Sequence, residues 1–140
     1  MLYVDTSVLV ALCINEGKTA DAVKWYADCT HELASAAWCV PEFANAMGLK
    51  KRTGQLTKEK AQTAWMQFER MCANDLQLLP VEAMTCHRAA MLTMDAAAGL
   101  RAGNALHLAC AVANKAHGIV TLDAVLVKSA KRFKVKPVAI

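Results

Sequence analysis

Three acidic residues stand where an apolar stretch gives way to a helical one. They are Asp5 after Leu2-Tyr3-Val4, Glu42 after Val40-Pro41, and Asp123 after Ile119-Val120-Thr121-Leu122. Leu2 to Val4 has the apolar, β-prone character of a short buried strand. Asp5 therefore lies at a strand's C-terminal end, beside a helix running through Val8, Leu9, Val10, Ala11 and Leu12 that Thr6 or Ser7 can cap. In open α/β sheets that edge is where ligands bind. An acid there is costly to bury unless a partner such as a metal ion compensates it. Three acids on one edge repel one another, which raises their pKa values unless cations lie between them. Oxygen-rich ligation of this kind suits Mg²⁺ or Mn²⁺ rather than zinc. Such ions can polarise a phosphodiester and lower the pKa of a bound water. The plainer reading is that Asp5 only caps its helix and the other acids are caps or surface charges.

The elements that must position these acids follow from the order of the chain. A helix is expected from Thr19 to Cys29, a short strand from Glu32 to Ser35, and a helix whose first turn contains Pro41 and Glu42. Lys50-Lys51-Arg52 and Gly54 end that helix, cations suiting the negative end of its dipole. Thr57 opens another helix, with Ala61, Trp65, Phe68 and Cys72 along one face as core or dimer contact. Leu76 to Leu79 is a third strand, Glu82 to Ala98 a long helix, and Leu100 to Asn104 a loop leading into a helix over Ala105 to Ala113 that Gly118 closes. A fourth strand over Ile119 to Leu122, a helix from Ala124 to Arg132 and a strand from Val135 to Val138 complete the chain. This alternation predicts one α/β domain, residues 1–140, with a central, mainly parallel sheet of four to five short strands flanked by helices.

The bulk numbers agree with that class. At 140 residues the chain can bury one substantial core. Its 56% hydrophobic and 20% charged residues suit a compact protein with apolar surface to spare for an interface. The net charge of +4 is compatible with a polyanionic partner. No apolar run approaches a membrane span and the N-terminus has no signal-peptide pattern, so a cytoplasmic location is expected. The six cysteines are scattered without a C-x-x-C pair and read as reduced and structural. No histidine pair has zinc-motif spacing.

Four segments in this order make the sequence resemble the PIN-domain family, and within it the toxin ribonucleases of the VapBC toxin–antitoxin type. They are Tyr3-Val4-Asp5-Thr6-Ser7, Pro41-Glu42-Phe43-Ala44-Asn45-Ala46, Leu100-Arg101-Ala102-Gly103-Asn104-Ala105-Leu106-His107-Leu108-Ala109 and Thr121-Leu122-Asp123. The resemblance implies a PIN-like fold, divalent-metal-dependent endoribonuclease activity, homodimerisation and inhibition by a small antitoxin protein. By position it makes Asp5, Glu42 and Asp123 the acids of the catalytic site, with Mg²⁺ or Mn²⁺ held by Asp5, Asp123 and position 104. Thr6 or Ser7 would be the hydroxyl support beside Asp5, with Arg101 nearby. Asn104 departs from the family's pattern, which has aspartate there. An amide keeps one neutral oxygen ligand but lacks the charge and the bidentate grip of a carboxylate. Either an Asp→Asn change has silenced a nuclease, or the residue is natural and leaves a weakened enzyme or a non-catalytic binder.

Several residues have two readings. His107, three positions after Asn104, could be a base but is expected to pack or hydrogen-bond structurally, since a metal-activated water needs no histidine. Arg101 could grip a phosphate through its fork or be a solvated loop charge. Lys128, Lys131, Arg132, Lys134 and Lys136 could steer RNA or form a solvated face. The leading expectation is a metal-dependent endoribonuclease toxin with RNA as substrate. Its rivals are a non-catalytic PIN-like module binding RNA or protein, and a metal-dependent phosphoesterase acting on DNA.

Overall fold

The computed structural model describes residues 1–140. Its elements are β1 (Leu2–Val4), α1 (Thr6–Cys13), α2 (Thr19–Asp28), β2 (Leu33–Ala36), α3 (Cys39–Arg52), α4 (Lys58–Asn74), β3 (Leu76–Leu79), α5 (Ala83–Met94), α6 (Ala102–Ala113), β4 (Gly118–Val120), α7 (Ala124–Arg132) and β5 (Lys136–Val138). The five strands form one sheet in the order β3-β2-β1-β4-β5, and every pairing is parallel. The chain thus builds outward from β1 through β2 to β3, then returns to the other side of β1 for β4 and β5. The reversal between β1 and β4 is a topological switch point, where the connections diverge and leave a crevice at the strands' C-terminal edge.

Alternation along β1 separates two cores. Leu2 and Val4 point into a cluster with Leu9, Phe43, Met47, Phe68 and Met71, which come from α1, α3 and α4. Tyr3 points the other way, into a cluster with Leu108, Ala109, Leu126 and Ala130 from α6 and α7. In the first core Phe43 and Phe68 stack with centroids 4.2 Å apart and planes 9° from parallel, and Trp65 tilts against both. The expected apolar stripe of α4 is therefore core.

Three helix starts are fixed by their own side chains. Asp5, Thr57 and Asp123 accept backbone N–H groups of Val8, Lys60 and Leu126 and cap α1, α4 and α7, each cap contributing about 1 kcal/mol. The cap of α1 is thus Asp5 itself, not Thr6 or Ser7.

Several boundaries differ from the sequence reading. The helix expected to reach Ala98 stops at Met94, because Asp95 turns extended, accepts the Ala97 N–H at 3.0 Å and pairs with Arg132 at 2.8 Å. Gly103 and Asn104 are not in a loop, since α6 already begins at Ala102. Gly118 does not close a helix but opens β4. A Cβ at Gly118 would lie 2.8 Å from the carbonyl oxygen of Lys136 and 3.0 Å from Val138, so the spacing of β4 and β5 requires a glycine. Gly118→Ala is expected to cost about 1–3 kcal/mol, read as a lowered Tm in a circular-dichroism melt. Gly17→Ala, which meets nothing within 4 Å, should leave the melt unchanged.

Candidate active site

β1 and β4 pair in register, Val4 opposite Val120, and the Asp5 N–H donates to the Val120 carbonyl at 3.1 Å. One residue beyond that rung, Asp5 and Thr121 lie side by side at the switch point. The Thr121 hydroxyl donates to Asp5 Oδ2 at 2.7 Å, and the Ser7 hydroxyl donates to Asp5 Oδ1 at 2.6 Å. Ser7 also accepts the Leu122 N–H at 3.0 Å, tying α1 to the turn after β4. Asp5 is only 2% exposed. Burial pushes its carboxyl above the ordinary carboxylate range, against the opposing pull of Ser7, His107, Thr121 and the Val8 N–H.

Glu42 reaches the same edge from α3. Its Oε2 accepts the Thr6 hydroxyl at 2.5 Å and meets His107 Nε2 at 2.6 Å. Behind it, the other ring nitrogen of His107 lies 2.8 Å from the Tyr3 hydroxyl, which in turn accepts the Ala36 N–H at 2.9 Å. Both ring nitrogens are thus partnered, and the Thr6 hydroxyl lies 3.1 Å from the same Nε2 that meets Glu42. The chain of bonds crosses from the layer of α6 to the layer of α3. Burial pushes Glu42 up, but His107, then Thr6 and Trp38, outweigh it and hold the carboxyl below its usual range. His107 is fully enclosed and engaged at both nitrogens, so it is a positioning residue for Glu42.

Asp123 caps α7 through Oδ1, which accepts the Leu126 N–H at 2.9 Å, while its own N–H donates to Thr121 at 3.0 Å. Asn104 lies in the first turn of α6. Asp5, Glu42, Asn104 and Asp123 all line one cavity of about 450 Å³, with Thr6, Ser7 and His107. Residues remote in the chain are thereby gathered at one place. A larger cleft of about 940 Å³, lined by Leu2, His31, His117 and Lys136 among others, contains none of these four. It lies between α2 and β5.

The two expected hydroxyl supports divide their work: Ser7 holds Asp5 and Thr6 holds Glu42. Arg101 is exposed, precedes α6 as its cap residue and does not line the cavity. Nor does any of Lys128, Lys131, Arg132, Lys134 and Lys136 line it. Arg132 is paired with Asp95, and Lys136 lines the larger cleft.

Other contributors escaped the sequence reading. Asn45 also lines the cavity, three positions after Glu42 on α3, a spacing that could have singled it out. Glu16 lines it too, paired with Lys50 at 2.5 Å, and only the folded turn after α1 brings it there. Gly103 packs so closely that a Cβ would lie 2.6 Å from Glu42 Oε1.

The donor set tests whether a divalent ion suits the place. Oxygen is the only donor offered by Asp5, Asp123 and Asn104, which matches a hard cation, and a desolvated carboxylate such as Asp5 favours positive charge beside it. No three His, Cys, Asp or Glu side chains stand as a preformed ion-binding group. Glu42 is turned onto Thr6 and His107, and position 104 presents an amide. The residues fit a divalent ion with one charge fewer than a full acidic set.

Solved structures share this architecture. VapC20 of Mycobacterium tuberculosis, a sarcin–ricin loop cleaving toxin, superposes with a TM-score of 0.74 at 14% identity, over 92% of this chain and 95% of that one. FitAcB of Neisseria gonorrhoeae gives 0.74 at 16%, over 99% and 97%. A toxin–antitoxin complex of Klebsiella pneumoniae gives 0.61 at 15%, over 93% and 90%. At such identities the likeness is one of fold. No helix is long and apolar enough to cross a membrane. No curated protein matches the sequence. The PIN domain family model matches residues 2–132, and the chain, with its all-parallel sheet and its polar residues gathered at the switch point, belongs to the PIN domain family.

Proposed function

We propose that this protein is an endoribonuclease of the toxin type that hydrolyses RNA phosphodiester bonds with Mg²⁺ or Mn²⁺, and that Asn104 weakens or silences it. The observation that carries the reading is the convergence of Asp5, Glu42, Asn104 and Asp123 on one cavity at the switch point. Asp5, Asp123 and the Asn104 side-chain oxygen would hold the ion. When bound, it would supply Lewis-acid charge for the scissile phosphate and an acidified attacking water.

The chain's own residues do the rest. Ser7 and Thr121 each donate to one oxygen of Asp5, fixing the plane of the carboxylate before any ligand arrives. Thr6 and His107 saturate Oε2 of Glu42 and keep it ionised, which leaves Oε1 as the atom able to orient a water. None of these acids acts as a nucleophile. The full toxin role includes a small antitoxin that covers the cavity or inserts a basic side chain among the acids. It also includes a homodimer, and exposed Met84, Met91 and Met94 supply apolar surface for such interfaces. The structural neighbours include toxin–antitoxin assemblies, one of them VapBC2 of Rickettsia felis bound to a promoter DNA fragment. A non-catalytic RNA- or protein-binding module is the second reading, and the amide at position 104 favours it.

Asn104→Asp restores the missing charge and is expected to raise Mg²⁺-dependent cutting of structured RNA by at least about 10- to 100-fold, the range that even outer-shell partners of metal ligands command. Chelator should abolish the gain, and DNA should be cut poorly. RNA bound by the Asn104→Asp variant but left intact would establish the binding module instead.

Stability reports Asp5 independently. The folded chain holds the Asp5 proton more tightly than the unfolded chain does. The stability this contributes is full below the unfolded pKa and lost as pH rises through the elevated folded value. In ion-free protein, the Tm of the parent should therefore fall relative to Asp5→Asn across that acidic window. Parallel Tm–pH profiles would contradict the assignment.

A further inference from the structure

Trp38 precedes α3 as its cap residue, and its carbonyl accepts the Glu42 N–H at 3.4 Å, one turn further on. Among the Trp, Tyr and Phe side chains it alone is exposed, at 42%. The ring is nevertheless anchored. A Cβ built on Gly103 would stand 3.7 Å from Trp38 Nε1 and 2.6 Å from Glu42 Oε1, so indole nitrogen and carboxylate close on the same point of α6. The indole nitrogen thus lies toward Gly103, between cavity residues Glu42 and Asn104 in the fold, and the rest of the ring is left partly to solvent. The exposed indole is a large, rigid aromatic surface. It suits a ligand with a flat, uncharged face.

We propose that Trp38 is a stacking platform for a nucleobase adjoining the scissile phosphate, and hence a specificity-determining residue of the reaction. The inference rests on the ribonuclease reading. A phosphate would be repelled by Glu42 at this position, whereas a base presents a π-face that an indole accepts whatever its sequence. With no second exposed aromatic side chain, one base is gripped here and the phosphates are held elsewhere. The contact is therefore local, and the polyelectrolyte part of binding is independent of it.

The test is fluorescence anisotropy of a labelled single-stranded RNA of mixed sequence with the full chain, its Trp38→Phe variant and its Trp38→Ala variant, each first checked for an unchanged thermal melt. Trp38→Ala is expected to weaken binding by about 5- to 100-fold, the loss that follows removal of one base–aromatic stack. Trp38→Phe should stay close to the parent. The slope of log Kd against log salt should be the same for all three, because no phosphate contact is lost. Parent-like affinity in Trp38→Ala would overturn the proposal and leave the ribonuclease reading intact. A Trp38→Phe variant as weak as Trp38→Ala would also overturn it, since the indole N–H and not the ring face would then matter. A parent that binds no RNA at all would bring down the ribonuclease reading first, and this proposal with it.

Discussion

Everything at the functional edge follows from one burial: a carboxylate placed at the end of the central strand, 2% exposed, with helices on both sides of the sheet. Desolvation penalises the charge of Asp5. The fold answers with hydroxyl donors from α1 and from the turn after β4, and with the cap N–H of Val8. Those donors are neutral. They orient the carboxylate without cancelling its charge. No lysine or arginine lines the cavity.

Glu42 is treated in the opposite way. His107 and Thr6 hold its carboxyl below the ordinary range although burial works against it. Two acids lining one cavity are thus set apart by their surroundings, one inclined to take up a proton and the other kept ionised. Differences of this kind separate roles within a polar site.

Much of this was legible in the chain. Asp5 and Asp123 were marked by their places after short apolar runs, and Glu42 by a proline-led first turn. The alternation of apolar strands and amphipathic helices was enough for the parallel sheet. What stayed hidden depended on contacts between distant segments. Thr121 became a partner of Asp5 only through the β1–β4 register. Glu16 entered the cavity through a turn without a pattern of its own. Gly118 looked like a helix terminator because the closeness of β5 is invisible along the sequence. The division of labour between Thr6 and Ser7 likewise needed three dimensions, since neighbours in sequence point to different carboxylates once the helix has formed.

The bonds running from Ala36 through Tyr3 and His107 to Glu42 join the two helical layers at the rim of the sheet. Such a brace resists hinge motion at that rim. The layers cannot spread to admit a bulky guest unless a buried imidazole gives up a partner, and such a loss is expensive away from water. Accommodation at this rim therefore falls to the shape of the incoming molecule and not to a spreading of the protein.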